Sequence, residues 1–395
     1  MAGAGSTLRI AMVAPFGLKP KGSMAVRALP LARALAERGH AVKVIMPAWH
    51  TPTEPPRTWQ DGAITLEYVS LGPFAGHASA PWIMRRMVSS ALAWRPDIVH
   101  AFKPKAYAGL AAWALWQRRC QPGASALVVD EDDWEGRGGW EELEPYSLPL
   151  KAFFRWQERW GLTHCHAVTV ASRALQTLVW SLGVRPEQVT LLPNGSTLPA
   201  RDGSFGVTAP VVLLYTRFAE FAPERAAATF AQVATLVPGA RLRVVGRALH
   251  AEHDAAFDRA VASAGLTGRV ERLGWLEPEE LPSALTGCRV AIFPFDDTLV
   301  NRCKCPVKLA DLLRLGIPVV ADDVGEVASY VADGETGFRV PGADVATMAS
   351  RTAQLLVDNA LAERMSRAAQ QRYAALFDWR QLAVSAETAY VDILR

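Results

Sequence analysis

Short runs of consecutive apolar residues alternate along this chain with longer stretches whose apolar positions recur at helical spacing. Residues 8–14 and 41–47 read as strands on either side of a helix over 25–38. Apolar runs at 98–101, 126–129 and 167–171 continue the series, with helical segments between them. Strands that are apolar at every position, rather than at alternate ones, are buried on both faces, as in a parallel sheet covered by helices. The rhythm pauses over residues 196–208, where Pro199, Gly203 and Gly206 stand among few apolar positions, a composition that suits a linker. It resumes with strands at 211–215, 242–245, 270–273, 290–293 and 319–321. The pattern predicts an α/β chain of two Rossmann-like domains of similar size. Ligands of such sheets sit at the carboxyl ends of the strands, so an interdomain cleft is the expected site.

Composition narrows the class. At 395 residues the chain suits two cores better than one. Half of its residues are apolar and 21% are charged, as in ordinary globular proteins. A net charge of +3 gives no broad electrostatic case for nucleic acid. The five cysteines, Cys120, Cys165, Cys288, Cys303 and Cys305, show no CxxC spacing, which argues against a zinc site or a disulfide framework and fits a reduced, cytoplasmic setting. No signal peptide is expected, and no apolar run reaches the length of a membrane span.

The window Cys305-Pro-Val-Lys-Leu-Ala-Asp311 carries the sharpest chemistry. Pro306 suits the first turn of a helix, and Gly316 ends it. A helix amino terminus offers free N–H groups and a partial positive charge to phosphate, and Lys308 adds a full charge in the same turn. Asp311, three residues on, shares its face and can accept ribose hydroxyls. The plainer reading is a solvated Lys–Asp pair.

A second notable run, Asp130-Glu-Asp-Asp133, ends a strand of the first half. Four adjacent acids repel, and three roles compete: holding substrate hydroxyls through Asp130, Asp132 or Asp133, capping the following turn, or binding a cation. His100 ends a neighbouring strand, where it either faces the cleft or is packed and hydrogen-bonded. Gly22 and Ser23 form a small strand-to-helix loop that allows close approach of a diphosphate or acceptor. Two segments, Trp82-Ile-Met-Arg-Arg-Met-Val88 and Leu150 to Trp160, mix aromatic and basic residues. They suit either peripheral contact with an anionic membrane or an inward core stripe with a basic edge.

Taken in order, these markers resemble the retaining glycosyltransferases of family 4, which have the GT-B fold. Gly22-Ser-Met24, the helix Leu31 to His40, Asp97-Ile-Val-His100, Leu192-Pro-Asn-Gly195, Thr216-Arg-Phe218, Gly274, Pro294-Phe-Asp-Asp297, the Asp311–Pro318 window, Asp333-Gly-Glu-Thr-Gly337 and Phe377-Asp-Trp379 follow the family's sequence. The resemblance implies an acceptor-binding domain over 1–197, a nucleotide-sugar-binding domain over 207–372, and a segment over 373–395 crossing back to the first domain. It implies a UDP- or GDP-linked sugar as donor, a glycan, lipid-linked or small-molecule acceptor, retention of configuration, and no cofactor or metal.

Arg217 matches the arginine that grips the donor pyrophosphate. The family's lysine five residues on is Ala222 here, which leaves Arg225 or Lys308 to supply that charge. Asp311 stands for the ribose-binding glutamate. A second glutamate that touches the donor sugar is Cys303, so Asn301, Arg302 or Lys304 is expected to read the sugar instead. The family's histidine near the reacting sugar falls on or beside Asp132. Asp132, Arg217 and Lys308 are therefore the expected catalytic residues. Rival readings are a GT-B nucleotide-sugar epimerase and a non-catalytic nucleotide-sugar-binding protein.

Overall fold

A computed structural model describes residues 7–19, 22–73, 76–201, 205–206 and 209–395. The chain divides into two compact units. The first comprises Met1–Gly195, Cys303–Cys305 and Trp379–Arg395; the second comprises Ser196–Arg302 and Pro306–Asp378. Part of the expected linker, residues 202–204 and 207–208, lies outside the described residues.

The sheet of the first unit contains β1 (Arg9–Val13), β2 (Ala41–Pro47), β3 (Arg57–Asp61), β4 (Ile64–Val69), β5 (Ile98–Phe102), β6 (Ala126–Glu131), β7 (Ala167–Val170) and β8 (Val189–Leu191). Their order is β3-β4-β2-β1-β5-β6-β7-β8, and only β3 runs antiparallel to its neighbour. The order reverses between β1 and β5, the switch point at which doubly wound sheets open a crevice. The expected helix over 25–38 begins with one π-helical turn, Met24–Ala28, before Leu29–Glu37 continues as α-helix. That turn buries Met24, Arg27 and Ala28. The last helix, Trp379–Leu394, belongs to this unit and places Trp379, Leu382, Ala383, Ala386 and Tyr390 in its core.

The second unit holds β9 (Val211–Tyr215), β10 (Arg241–Val245), β11 (Val270–Gly274), β12 (Val290–Phe293), β13 (Val319–Asp322) and β14 (Gly337–Val340). All are parallel, in the order β11-β10-β9-β12-β13-β14, so this switch point lies between β9 and β12. Helix Pro223–Leu236 buries Ala226, Ala227, Phe230 and Val233, and Phe230 and Val233 join the core beside Leu214 and Val244. Among the described residues no helix is long and apolar enough to cross a membrane.

Candidate active site

In the second unit, the exit of β9 is shaped by its own backbone. The Thr216 hydroxyl accepts the Phe218 N–H at 2.8 Å, and Phe218 takes a left-handed φ of 51° with its ring fully buried. Gly246, at φ 110°, lies so close beneath this turn that a Cβ there would be 2.0 Å from the Thr216 carbonyl oxygen. Arg217 is thus held at the tip of the turn. Its carbonyl accepts the Leu249 N–H at 2.9 Å, its side chain is exposed, and it has no side-chain partner among the described residues.

Two helices begin on the same edge. Pro223–Leu236 follows β9, and Val307–Arg314 follows the loop after β12; neither amino terminus has a side-chain cap. Pro223 has no N–H, and the Arg225 and Leu309 amides already bond to the Ala222 and Pro306 carbonyls at 3.0 Å, so each terminus offers an anion its helix dipole and only the remaining first-turn amides. The Lys308 ammonium lies 5.9 Å from the centre of the Tyr215 ring, which brings it to the end of β9, two residues from Arg217. Asp311 is 5% exposed and accepts a 2.5 Å hydrogen bond from the Ser196 hydroxyl, with the Tyr215 hydroxyl a second partner. Burial pushes its carboxyl up to about 7, against the hydrogen bond from Ser196 and the charges of Lys308 and Arg314. A carboxylate has about four acceptor positions, so two partners leave room for ribose hydroxyls.

The first unit gathers acids and lysines where β5 and β6 end side by side. The Lys103 ammonium lies 3.1 Å from Asp132, 2.8 Å from Asp133 and 3.6 Å from Glu135. Lys105 pairs with Glu135 and reaches the Tyr146 hydroxyl at 3.2 Å. Lys103 and Ala106 both adopt left-handed backbone, φ 52° and 49°, an arrangement that costs energy and clusters at functional sites. Burial raises Asp132 to about 6 and Glu158 to about 8, and Glu131, fully buried with neither carboxylate oxygen bonded, is raised well above its ordinary value.

Behind this cluster runs a closed polar network. Arg27 makes a bidentate pair with Asp130 at 2.7 and 2.6 Å and also donates to the Leu192 carbonyl and the Asn194 side chain. The Thr169 hydroxyl donates to Asp130 at 2.6 Å. It must therefore accept from His100 Nε2, 3.0 Å away, which leaves Nδ1 to accept from the Tyr390 hydroxyl at 2.8 Å. Burial holds His100 neutral, with its pKa lowered to about 4.

Several expected ligand-binding residues are committed elsewhere. His100 and Asp130 are both 0% exposed and saturated by protein partners, so they are corrected to internal roles. Arg225 braces the sheet edge through Asp322 at 2.5 Å and Asp296 at 2.7 Å, which neutralises the charge expected to replace the missing lysine. Asn301 donates to the carbonyls of Glu220 and Asp296 and is 3% exposed, a loop tie rather than a sugar reader. Arg302, though exposed, pairs with Asp297 at 2.5 Å.

Lys304 belongs to the first unit, 5.0 Å over the Trp140 ring. Gly22 is exposed and Ser23 half-buried where the first helix starts. Cys303 is fully buried beside Glu131, Asp133 and Glu158, its thiol pushed up to about 12, so it cannot serve as the missing glutamate does. Sequence reasoning missed Lys103 and Lys105 as partners of the acids, and Ser196 and Tyr215 as partners of Asp311. The lysines were signalled by two-residue spacing at the end of β5, the neighbour of β6.

Comparison with known proteins agrees with this architecture. Residues 22–195 match the family described as Glycosyl transferase 4-like domain, and residues 209–358 match Glycosyl transferases group 1. The chain is 27% identical over 311 residues to a glycogen synthase of Mycobacterium tuberculosis, covering 76% of this chain and 70% of that protein. It is 24% identical over 400 residues to a phosphatidyl-myo-inositol mannosyltransferase of Mycobacterium leprae, covering 98% and 97%. Among solved structures it resembles sucrose-phosphate synthase from Thermosynechococcus elongatus, with TM-score 0.73, 19% identity and coverage of 98% and 99%. The catalytic domain of starch synthase IV from Arabidopsis thaliana, bound to ADP and acarbose, gives TM-score 0.71 at 15% identity, covering 99% and 100%. The chain belongs to the family 4 glycosyltransferases and has their GT-B fold.

Proposed function

We propose that the protein transfers a sugar from a nucleoside-diphosphate sugar to a hydroxyl of a glycan, lipid-linked or small-molecule acceptor, with retention of configuration and without a metal. The observation that carries this reading is the convergence of Arg217, Lys308 and two uncapped helix amino termini at the β9/β12 switch point, with Asp311 beside them. A diphosphate is the group that needs several fixed positive sources at once, and Asp311 suits the ribose next to it. Complexes of similar folds, one with UDP and glucose and another with ADP and acarbose, support a nucleotide in this type of site.

Arg217, Lys308 and the helix amides stabilise the charge that appears on the diphosphate as the bond from the anomeric carbon to phosphate oxygen breaks. These protein cations supply what a metal would otherwise supply. The acceptor oxygen bonds to the anomeric carbon on the face the phosphate leaves, and its proton passes to a phosphate oxygen. Asp132, steadied by Lys103, serves the acceptor side in the first unit.

The test is to incubate the enzyme with UDP-, GDP- and ADP-sugars, in the presence of a chelator, with panels of polyol, oligosaccharide and lipid acceptors. Acceptor-dependent release of nucleoside diphosphate, and a product with the donor's anomeric configuration by NMR, are expected. Release of a free altered sugar without acceptor would indicate an epimerase. Binding of a nucleoside diphosphate without turnover across the panels would indicate a non-catalytic protein.

A further inference from the structure

The helix Leu148–Thr163 has two unequal faces. Phe154, Gln157, Glu158, Gly161 and Leu162 point into the first unit. The opposite face leaves Phe153 and Trp156 at 37% and 44% exposure, and Leu148 at its start is 79% exposed. The rings form a continuous ladder. Phe153 stacks on Trp156 at 5.8 Å, Trp156 meets Trp160 at 6.2 Å, and Trp160 stacks on His164 at 4.5 Å. His164 then meets the edge of Trp116, at the end of the adjoining helix Ala106–Trp116, at 6.2 Å. Trp113 on that helix is 38% exposed. In this segment the aromatic stripe therefore turns outward, whereas the helix Ala80–Ala93 buries Ile83, Met87 and Ala91 as an inward stripe.

Cations outnumber acids along the ladder: Glu141 is paired with Arg155, and Glu142 and Glu144 lie ahead of the helix start. Glu158, the only acid in Leu148–Thr163, is buried, at 2% exposure. Lys151 and Arg159 flank the rings, Arg118 and Arg119 follow Trp116, and the Arg119 guanidinium lies 4.7 Å over the Trp116 ring. Arg155 pairs with Glu141 at 3.0 Å. Large exposed apolar surface in a soluble unit marks a contact site. Rings with a polar edge, flanked by long cationic side chains, suit the headgroup boundary of a bilayer, where the ring is half buried and the cation meets phosphate. A second copy of the chain would oppose like charges, and a neutral glycan would gain nothing from the cations.

We propose that this ladder seats the first unit on an anionic lipid bilayer, with Phe153, Trp156 and Trp160 in the headgroup region and Lys151, Arg159, Arg118 and Arg119 against lipid phosphates. The surface is independent of the donor site and of the reaction assigned to it.

The test is co-sedimentation of the full chain with vesicles of phosphatidylcholine alone or mixed with phosphatidylglycerol. Binding is expected on the mixed vesicles, with a blue shift of tryptophan fluorescence and a loss at raised salt. The double variant Phe153→Ser, Trp156→Ser is expected to bind about tenfold less. The triple variant Arg118→Glu, Arg119→Glu, Arg159→Glu changes only exposed side chains and is expected to lose the anionic preference, with melting curves showing that each variant remains folded. No binding to mixed vesicles, equal binding to neutral ones, or wild-type binding by both variants would overturn the proposal. So would a concentration-dependent dimer that Trp156→Ser abolishes, or saturable oligosaccharide quenching of tryptophan that the same variant removes.

Discussion

Arg217 and Lys308 owe their proposed roles to position. One stands on a turn fixed by Thr216 and Gly246, the other in the first turn of a helix whose amides lack a side-chain cap. Replacing either by Ala is expected to lower kcat/KM by about 10²–10³, on the order of 3–4 kcal/mol of transition-state stabilisation, with an unchanged melting curve. Wild-type turnover in both variants would remove them from the reaction. Asp311 gives a test by pH. Its carboxyl is raised from 3.8 to about 7, so the folded chain keeps that proton where the unfolded chain has lost it. Its contribution to stability is greatest below 3.8, falls as pH rises, and is gone above about 7. Ribose binding has the opposite sign, because the ionised carboxylate is the better acceptor. Donor KM is expected to fall as pH rises through about 7, and Asp311→Asn is expected to flatten that profile.

Elements carry the next level of prediction. The π-helical turn Met24–Ala28 sends Arg27 inward to Asp130, and both side chains are essentially inaccessible. Arg27→Met leaves a buried carboxylate unpaired and is expected to cost about 3–5 kcal/mol in urea denaturation, with Arg27→Met, Asp130→Asn recovering part of the loss. Gly246→Ala places a methyl 2.0 Å from the Thr216 carbonyl at a φ of 110°. It is expected to destabilise the second unit and to impair catalysis through Arg217, read as a lower urea midpoint and a lower kcat/KM. The sequence showed most of these elements because buried parallel strands are apolar throughout. It hid β3, whose residues Arg-Thr-Trp-Gln-Asp lie on an exposed edge, β4, which alternates apolar and polar positions, and β8 and β14, which are short and mixed in polarity. The π turn has no signature in the apolar period.

At the scale of the whole molecule, the first unit concentrates acids whose carboxyls burial raises: Glu131, Asp132 to about 6 and Glu158 to about 8. Each is raised, so each contribution to stability is complete at low pH and declines as pH climbs through the folded value. His100 runs the other way, full above 6.5 and lost as pH falls toward 4. Above pH 6.5 the acids therefore dominate, and the melting midpoint of the first unit is expected to fall between pH 6.5 and 9. At this size each ~1 kcal/mol moves the midpoint by about 2–4 °C. Glu158→Gln is expected to reduce the slope; calorimetry across that range decides it.

By itself, the sequence determined the class of fold, the two successive sheets, the helix beginning after Pro306 and the family, because these follow from local periodicity, turn residues and the order of motifs. It also supplied Lys308 and Asp311 as candidates, since they stand in the first turns of a helix, and Arg217 through the family resemblance. Only the tertiary structure decided that His100, Asp130, Arg225 and Asn301 are occupied by protein partners, that Lys103 faces the acids, and that the Phe153–Trp160 stripe turns outward. Those outcomes depend on which strands lie side by side and which face of a helix meets the core. Pairings of that kind join residues dozens to hundreds of positions apart, beyond what local spacing records.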